Sequence, residues 1–397
     1  MKITSFTLGG AFGIDAIPVY ITCTVDADRL DAFKITGVSP VRAKEIEVRV
    51  RSAITSVGLC AWPVGQVTVD VDTRGAKFPS AALDLPVACA IAGVNVDGLL
   101  VAGELGLDGR TRPVRGIVQA TLLAKSLGLR GVLIPADNER DAKETIGDAI
   151  DVYVLSHLVD LNGDIDVLKL EYTVRTSRTR ATCDFSEVRG QSDAVLAIAN
   201  AVRTRSNVLL SGPPGVGKTM IARRIPTVLS AMTKDEQIDV TEAYSAVGMS
   251  DGLVTERPFR APHHTVSVSA LTGGGIAPRP GEVQLATHGV LFLDEVDQFS
   301  RGAIDGLVST LNAMPVASRP LVVAAANPCP CGWHGSTVRP CACSPGSIKR
   351  HETRVNEVAG KLRLTVRVEL QHVDLAQLRT APVGESSATI AARIAGC

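Results

Sequence analysis

The residues with the most specific chemistry form a glycine-rich run that follows a short apolar segment, residues 207–210. The run consists of Gly212, Pro213, Pro214, Gly215, Val216, Gly217, Lys218 and Thr219. This is the pattern G-x-x-x-x-G-K-T, whose glycines let backbone N–H groups converge on phosphate oxygens. Lys218 would neutralise the β and γ phosphates, and the Thr219 hydroxyl would ligate magnesium. The run therefore predicts a site for ATP and magnesium.

Two carboxylates follow a second apolar run, which covers residues 289–293. Asp294 would hold magnesium, directly or through water, while Glu295 would polarise the water that attacks the γ-phosphate. The alternative is a buried strand that ends in two solvated acids. The glycine-rich run upstream favours the first interpretation.

A third apolar run, residues 321–326, ends at Asn327. An asparagine in this place could orient the attacking water or contact the γ-phosphate, although Asn-Pro at a strand end is also typical of a simple turn. Three polar elements at strand ends, in this order, predict a nucleotide site more specifically than any one of them.

Four cysteines cluster shortly after Asn327: Cys329, Cys331, Cys341 and Cys343. Four thiolates in so short a span can close tetrahedrally around a structural zinc, with His334 and His351 as spare ligands. The spacing C-x-C differs from the more usual C-x-x-C. Reduced cysteines in a constrained loop and a labile disulfide pair therefore remain as alternatives.

His263 and His264 are adjacent, and side chains of adjacent residues point in different directions in any regular structure. Chelation of one metal by both is therefore not expected. The pair is predicted to lie in a loop that contacts either a neighbouring chain or the nucleotide region.

The segments that must position these residues alternate between helical and strand-like patterns. From Cys183 onward the pattern predicts a helix, a buried strand, the glycine-rich turn and a second helix from Met220. Before it, alternating β-branched residues predict strands at 19–25 and 67–71. Helical spacing of apolar residues predicts helices at 43–56, 83–92 and 114–127, and a buried strand at 131–135 would close this part.

These patterns predict an α/β protein of several domains. We expect an N-terminal domain at 1–168, a basic linker at 169–182 and a nucleotide domain at 183–380 with a cysteine-rich insertion at 329–343. Residues 381–397 would begin a further helical segment. A chain of 397 residues is long enough for two or three domains.

Composition excludes several classes of protein. Lys+Arg and Asp+Glu balance at 41 each, so the global charge does not indicate a nucleic-acid or membrane partner. A balanced total charge is still compatible with a local basic channel. No run of 18 apolar residues predicts a membrane span, and the first residues do not resemble a signal peptide. Nine cysteines in so long a chain do not suggest a disulfide framework, and we expect a cytoplasmic protein.

The motifs resemble, in order, those of one family, the magnesium-chelatase-like AAA+ ATPases of the ComM type. They lie at residues 184–191, 212–219, 259–265, 273–275, 278–282 and 327–332, with further landmarks at 78–86 and 103–110. The resemblance spans nearly the whole chain. It implies a hexameric ring that uses ATP to translocate on DNA and to promote branch migration during uptake and recombination.

The first third also resembles the fold of the Lon protease catalytic domain, an α+β domain. Ser80 stands where that family has its nucleophile, but Val118 stands at the position of the lysine base. A serine nucleophile needs an adjacent base. We therefore expect Ser80 to be a structural residue.

The resemblance assigns one more residue, Arg363. The family's Leu-Asp-Arg-Ile-Asp motif here becomes residues 361–365, and only the arginine is retained. Arg363 matches the arginine finger that a neighbouring subunit supplies, on a strand-like segment at 362–370. The alternative is a solvated strand residue. The resemblance also implies a C-terminal helical lid, of which residues 381–397 would be the start.

Three functions fit these features. The first is a DNA-remodelling ATPase. The second is a metal-chelatase or MoxR-like chaperone subunit, whose substrate is a protein or a cofactor. The third is an ATP-binding protein that does not hydrolyse ATP.

Overall fold

The structure is a computed structural model that describes residues 2–75, 81–171, 183–275, 278–374 and 380–396. The chain forms two compact units, and neither is continuous in sequence. The first comprises Met1–Thr176, Thr241–Val254 and Gly274–Arg279, and the second comprises the remaining segments. Ser80 and residues 172–182 of the predicted linker lie outside the described residues.

The first unit contains mixed helices and strands. In chain order they are β1 Lys2–Gly9, β2 Asp15–Asp26, β3 Ala32–Thr36, α1 Pro40–Val57, β4 Gln66–Asp72, α2 Asp84–Ala92, β5 Leu99–Val101, β6 Glu104–Leu105, β7 Thr111–Arg112, α3 Ile117–Ser126, β8 Gly131–Pro135, α4 Glu139–Ile146 and β9 Asp151–Leu155. Within the described residues, seven of these strands form one sheet in the order β3-β4-β2-β1-β5-β8-β9.

Local sequence explains the bounds of α1. The Ser39 side chain accepts a hydrogen bond from the Arg42 N–H, Pro40 occupies the first turn, and Gly58 ends the helix in a left-handed conformation. Ile46, Val50 and Ile54 are buried along one face, as their helical spacing predicts. The helix predicted at 43–56 is confirmed.

Two predictions for the first unit are wrong in detail. The helix predicted from residue 114 begins at Ile117, because Gly116 adopts a left-handed φ of 79° directly before it. The strand at 131–135 does not close the unit, since β9 pairs with it in parallel and forms the edge of the sheet.

The second unit begins with α5 Ser192–Arg203, β10 Val208–Ser211 and α6 Lys218–Ala222. Helix α7, Lys234–Val247, contains the boundary between the units. The rest is β11 Phe259–Arg260, α8 Val268–Thr272, α9 Glu282–Leu285, β12 Val290–Leu293, α10 Arg301–Ala313, β13 Leu321–Ala326, α11 Pro345–Lys361, β14 Val366–Glu369 and α12 Ser387–Ala395. Within the described residues, no helix is both long and apolar enough to cross a membrane.

The second unit is built on a parallel sheet in the order β11-β12-β13-β10-β14. Its three central strands, β12, β13 and β10, are buried on both faces. Val208 and Leu210 pack with Ile198 of α5 and Ile390 of α12, whereas Leu209 packs with residues of α10 and α11. Helices on both faces explain why these strands appear as continuous apolar runs in the sequence. The predicted α/β class is confirmed.

The strand-like segment predicted at 362–370 is only partly a strand. α11 ends at Lys361, and β14 covers only Val366–Glu369. Arg363 lies between them, exposed and with a left-handed φ of 52°. Because β14 runs parallel to β10, Arg363 lies at the amino ends of the strands, on the side of the sheet opposite to the glycine-rich loop.

Candidate nucleotide-binding site

The glycine-rich run forms the turn between β10 and α6, as its sequence context predicts. Two of its glycines are required by geometry. A Cβ on Gly212 would lie 2.4 Å from the Leu370 carbonyl oxygen, and Gly217 adopts a left-handed φ of 97°. Side chains in these places would open the loop or strain it.

Lys218, the first residue of α6, makes hydrogen bonds to both ends of the site. Its ammonium donates to the Gly212 and Pro213 carbonyl oxygens at 2.6 and 3.0 Å, and to Asn327 Oδ1 at 2.9 Å. The side chain is buried, and its desolvation lowers the pKa of Lys218, while the nearby carboxylates of Asp294 and Glu295 oppose that shift. A buried cation with donors gathered at one point suits a polyphosphate.

The approach of Lys218 to Asn327 follows from the order of the strands. β10 and β13 are direct neighbours, with Ser211 paired to Ala326 at their carboxyl ends. The residue after each strand therefore leaves the sheet at the same edge. This is the edge at which ligands bind in open parallel sheets.

Thr219 and Asp294 form a second polar pair at this edge. The Thr219 hydroxyl donates to Asp294 Oδ2 at 3.0 Å, and Asp294 Oδ1 accepts from the Glu295 N–H at 3.0 Å. A hydroxyl and a carboxylate are hard oxygen donors, which are the ligands that magnesium prefers. The donor set therefore fits magnesium.

Glu295 has an unusual backbone conformation. Its φ is 49°, in the left-handed region that non-glycine residues rarely adopt, and its side chain is half exposed. Such strain persists only where the surroundings impose it, and it clusters at functional sites.

The two adjacent histidines lie in an irregular segment after β11. Their rings are close, with centroids 4.1 Å apart, so they do not diverge as they would in a helix or strand. His264 Nδ1 lies 3.3 Å from Glu295 Oε2, whereas His263 Nδ1 lies 2.9 Å from the Thr265 hydroxyl. His264 therefore contacts the carboxylate that follows β12, which is one of the two places that the sequence left open for this pair.

His351 has a different place from the one predicted as a spare zinc ligand. Its Nε2 lies 2.8 Å from the Asn327 carbonyl oxygen, and its Nδ1 lies 3.5 Å from Asp297 Oδ2. Both side chains are buried. No short-range pattern links a histidine in α11 to Asn327, so sequence reasoning did not find this support. The one sequence feature near the site that relates to this contact is Asp297, an acid two residues after Glu295 that could pair with a histidine.

The four clustered cysteines meet in space. Cys329 Sγ lies 3.4 Å from Cys331 Sγ and 3.7 Å from Cys341 Sγ, and the latter two are 3.6 Å apart. All four ligand atoms, including that of Cys343, lie within 4.8 Å of one another, and all four are free thiols. Among the described residues, this is the one group that offers three or more such ligands in reach of one metal ion.

Backbone N–H groups support the sulfurs. The His334 N–H donates to Cys329 Sγ at 3.3 Å, and the Cys343 N–H donates to Cys341 Sγ at 3.4 Å. N–H groups of Trp333 and Ala342 lower the pKa of the Cys331 thiol to about 6. At Cys341 the N–H of Cys343 also favours the thiolate, but desolvation and the neighbouring thiols outweigh it and raise the pKa of Cys341 to about 12. The pKa of Cys343 is raised as well, so the backbone favours one thiolate, that of Cys331, in the cluster.

Two family profiles and several known proteins are similar to this sequence. Residues 184–378 match the sequence profile of the family described as "Magnesium chelatase, subunit ChlI", and residues 22–138 match that described as "Subunit ChlI of Mg-chelatase". The competence protein ComM of Haemophilus influenzae is 32% identical over 393 residues, which are 91% of this chain and 75% of that protein. The protein YifB of Escherichia coli is 30% identical over 420 residues, 99% of this chain and 81% of its own length.

A shorter similarity concerns the first unit. A stretch of 102 residues, 25% of this chain, is 28% identical to the mitochondrial Lon protease homolog of Mus musculus, of which it covers 10%. Val118, which the resemblance to Lon places at the position of the lysine base, is buried in α3. It offers no proton acceptor for a serine nucleophile.

Proposed function

The chain belongs to the family of magnesium chelatase subunit ChlI, and from that premise we propose that it is an AAA+ ATPase that binds and hydrolyses ATP. Residues 212–219 would hold the phosphates, with Lys218 on the β and γ phosphates. Thr219 and Asp294 would hold magnesium, which would supply positive charge beside the phosphates. Glu295 would accept a proton from the attacking water, and Asn327 would orient that water or contact the γ-phosphate.

The observation that carries the proposal is the meeting of three strand ends. Lys218 after β10 reaches Asn327 after β13, and Thr219 reaches Asp294 after β12. Phosphoryl transfer depends on positioning and on electrostatic stabilisation more than on covalent chemistry. An edge that combines a cation, two hard oxygen donors and a carboxylate base supplies both.

ATP hydrolysis would drive DNA remodelling by a ring of six subunits. The resemblance to ComM-type ATPases implies branch migration, and the name of the Haemophilus relative, a competence protein, supports this function. Membership of the magnesium chelatase subunit ChlI family instead supports a second candidate, a chelatase or MoxR-like chaperone subunit that acts on a protein or a cofactor.

One assay separates these candidates. We expect the ATPase rate of the purified oligomer to rise when forked or single-stranded DNA is added, because a DNA motor couples turnover to its track. A measurable ATPase rate that neither forked nor single-stranded DNA changes would favour the chelatase-type candidate. An oligomer that binds ATP and never turns it over would instead be a non-hydrolysing ATP-binding protein.

The cysteine cluster would hold one structural zinc. Zinc bonded to four thiolates at about 2.3 Å in a tetrahedron places the sulfurs about 3.8 Å apart. The sulfurs of Cys329, Cys331 and Cys341 are separated by 3.4, 3.6 and 3.7 Å. Four cysteines leave no open coordination position, so the ion would stabilise the loop and take no part in the reaction.

Metal analysis tests the zinc assignment. We expect about one zinc per chain in purified, reduced protein, and its loss when Cys341 and Cys343 are both replaced by serine. The matched control replaces Cys23 and Cys60, two free cysteines outside the cluster, and should keep the zinc. A folded, reduced wild-type protein with almost no zinc would contradict the assignment.

A further inference from the structure

We propose that the metal in the cysteine loop, residues 329–343, positions the nucleotide site, so that metal binding and nucleotide binding are energetically coupled. The inference rests on the proposed ATP site and adds a regulatory connection to it. It follows from two contacts of the loop, one through Asn327 and one through Pro214 of the glycine-rich run.

The first contact is through the chain itself. Asn327 lies two residues before Cys329, which is fully buried. The Oδ1 atom of Asn327 accepts a hydrogen bond from the Lys218 ammonium at 2.9 Å. The preceding residue ends β13, which fixes one side of Asn327. On the other side, residues 327–344 contain neither helix nor strand before α11 begins at Pro345.

The restraint on that irregular side must therefore come from tertiary contacts. His351 supplies one, through the Asn327 carbonyl oxygen at 2.8 Å. The cysteine cluster supplies the other, because a metal bonded to all four sulfurs would tie Cys329 to the far end of the loop. Without the metal, four thiols in loose contact hold the loop less firmly, and ordering it on nucleotide binding costs conformational entropy.

The second contact is at Gly332, the residue after Cys331. Its φ is 84°, and a Cβ there would lie 2.7 Å from Cγ and Cδ of Pro214 and 3.8 Å from Asn327 Cγ. The Gly332 N–H donates to the Cys329 carbonyl oxygen at 2.9 Å, which closes the turn that carries the first two sulfurs. The backbone of this turn thus packs directly against Pro214 of the glycine-rich run.

Coupling of this kind is reciprocal. If the metal raises the affinity for ATP, bound ATP must raise the affinity for the metal by the same factor. A nucleotide analogue should therefore slow the release of zinc from the native protein. This measurement needs no variant, so it does not depend on whether a variant folds.

Two glycine variants provide a matched pair. Gly332 and Gly335 both adopt a left-handed φ, 84° and 73°, so alanine strains the backbone in both. Only at Gly332 does the added Cβ meet the glycine-rich run, since nothing lies within 4 Å of a Cβ at Gly335. We expect Gly332→Ala to weaken binding of a fluorescent ATP analogue by about 10-fold, within the range of typical couplings, and Gly335→Ala to change it by less than about twofold.

The same titration is done on wild-type protein before and after removal of zinc with a zinc-selective chelator, with magnesium kept in excess. We expect weaker binding after removal, restoration when zinc is added back, and slower zinc release when the analogue is bound. The inference would be overturned if the affinity for the analogue were the same with and without zinc and if the analogue did not change the rate of zinc release. The proposed ATP site would be unaffected by that result. Wild-type protein that contains zinc and does not bind the analogue would overturn the proposed function itself, and the inference with it.

Discussion

Replacing Lys218 with alanine is expected to abolish ATP binding. The ammonium is the one cation of the glycine-rich run, and it is buried with its donors directed to Gly212, Pro213 and Asn327. Removing one partner of a buried, hydrogen-bonded charge pair typically costs about 3 kcal/mol or more, which is more than about 100-fold in Kd. Titration with a fluorescent ATP analogue in the presence of magnesium measures the loss.

The control for this variant is Lys349→Ala, which removes an exposed lysine on α11. It should bind the analogue as the wild type does. Thermal unfolding of both variants checks that the chain still folds, because Lys218→Ala also leaves Asn327 Oδ1 without its donor. Wild-type affinity in a folded Lys218→Ala protein would contradict the assignment of residues 212–219 to phosphate binding.

The convergence at this site could be anticipated because it depends on local patterns. Each apolar run predicts a buried parallel strand, and the carboxyl ends of parallel strands share one edge of the sheet. The sequence therefore indicates that Lys218, Asp294 and Asn327 come together. The observed contacts of 2.9 Å from Lys218 to Asn327 and 3.0 Å from Thr219 to Asp294 agree with that expectation.

The contacts of His264 and His351 could not be predicted in the same way. His264 reaches Glu295 through the path of an irregular loop, and His351 reaches Asn327 from a helix that begins 18 residues later in the chain. Loop paths and helix docking depend on packing between distant segments. Periodicity describes only the neighbourhood of each residue.

The two units are discontinuous in sequence for the same reason, namely that segments distant in the chain pack together. Residues Thr241–Val254 belong to the first unit, where the Ser250 hydroxyl and the Gly252 N–H donate to the buried carboxylate of Asp141 at 2.8 and 2.7 Å. More than 100 residues separate these partners. A division of the sequence into consecutive domains cannot represent such a pairing.

Arg363 carries the second large prediction, because a trans-acting arginine would make activity depend on assembly. The side chain is exposed at the amino ends of the strands, and within the described part of the chain no carboxylate pairs with it. The glycine-rich run lies at the opposite ends. We therefore propose that Arg363 serves the ATP of a neighbouring subunit, where its guanidinium would stabilise charge that develops on the γ-phosphate.

Arg363→Ala should bind ATP normally and lose about 10³-fold in turnover, the lower end of the range for such arginines. The matched control is Arg367→Ala, since Arg367 is also exposed, lies four residues further along, and contacts Asn356 Oδ1 at 2.9 Å. This variant should keep most of the wild-type rate. Analogue titration and steady-state ATPase assays on the same preparations separate binding from turnover.

Dependence on assembly distinguishes an arginine finger from a solvated surface residue. Specific activity of the wild type should rise with protein concentration, because an isolated subunit lacks the arginine of its neighbour. Mixing Arg363→Ala with Lys218→Ala subunits should restore part of the activity: at some interfaces an intact Lys218 site then faces an intact Arg363. If activity is independent of concentration and mixing rescues nothing, Arg363 has no role in trans, and the residue is a solvated arginine in the turn before β14.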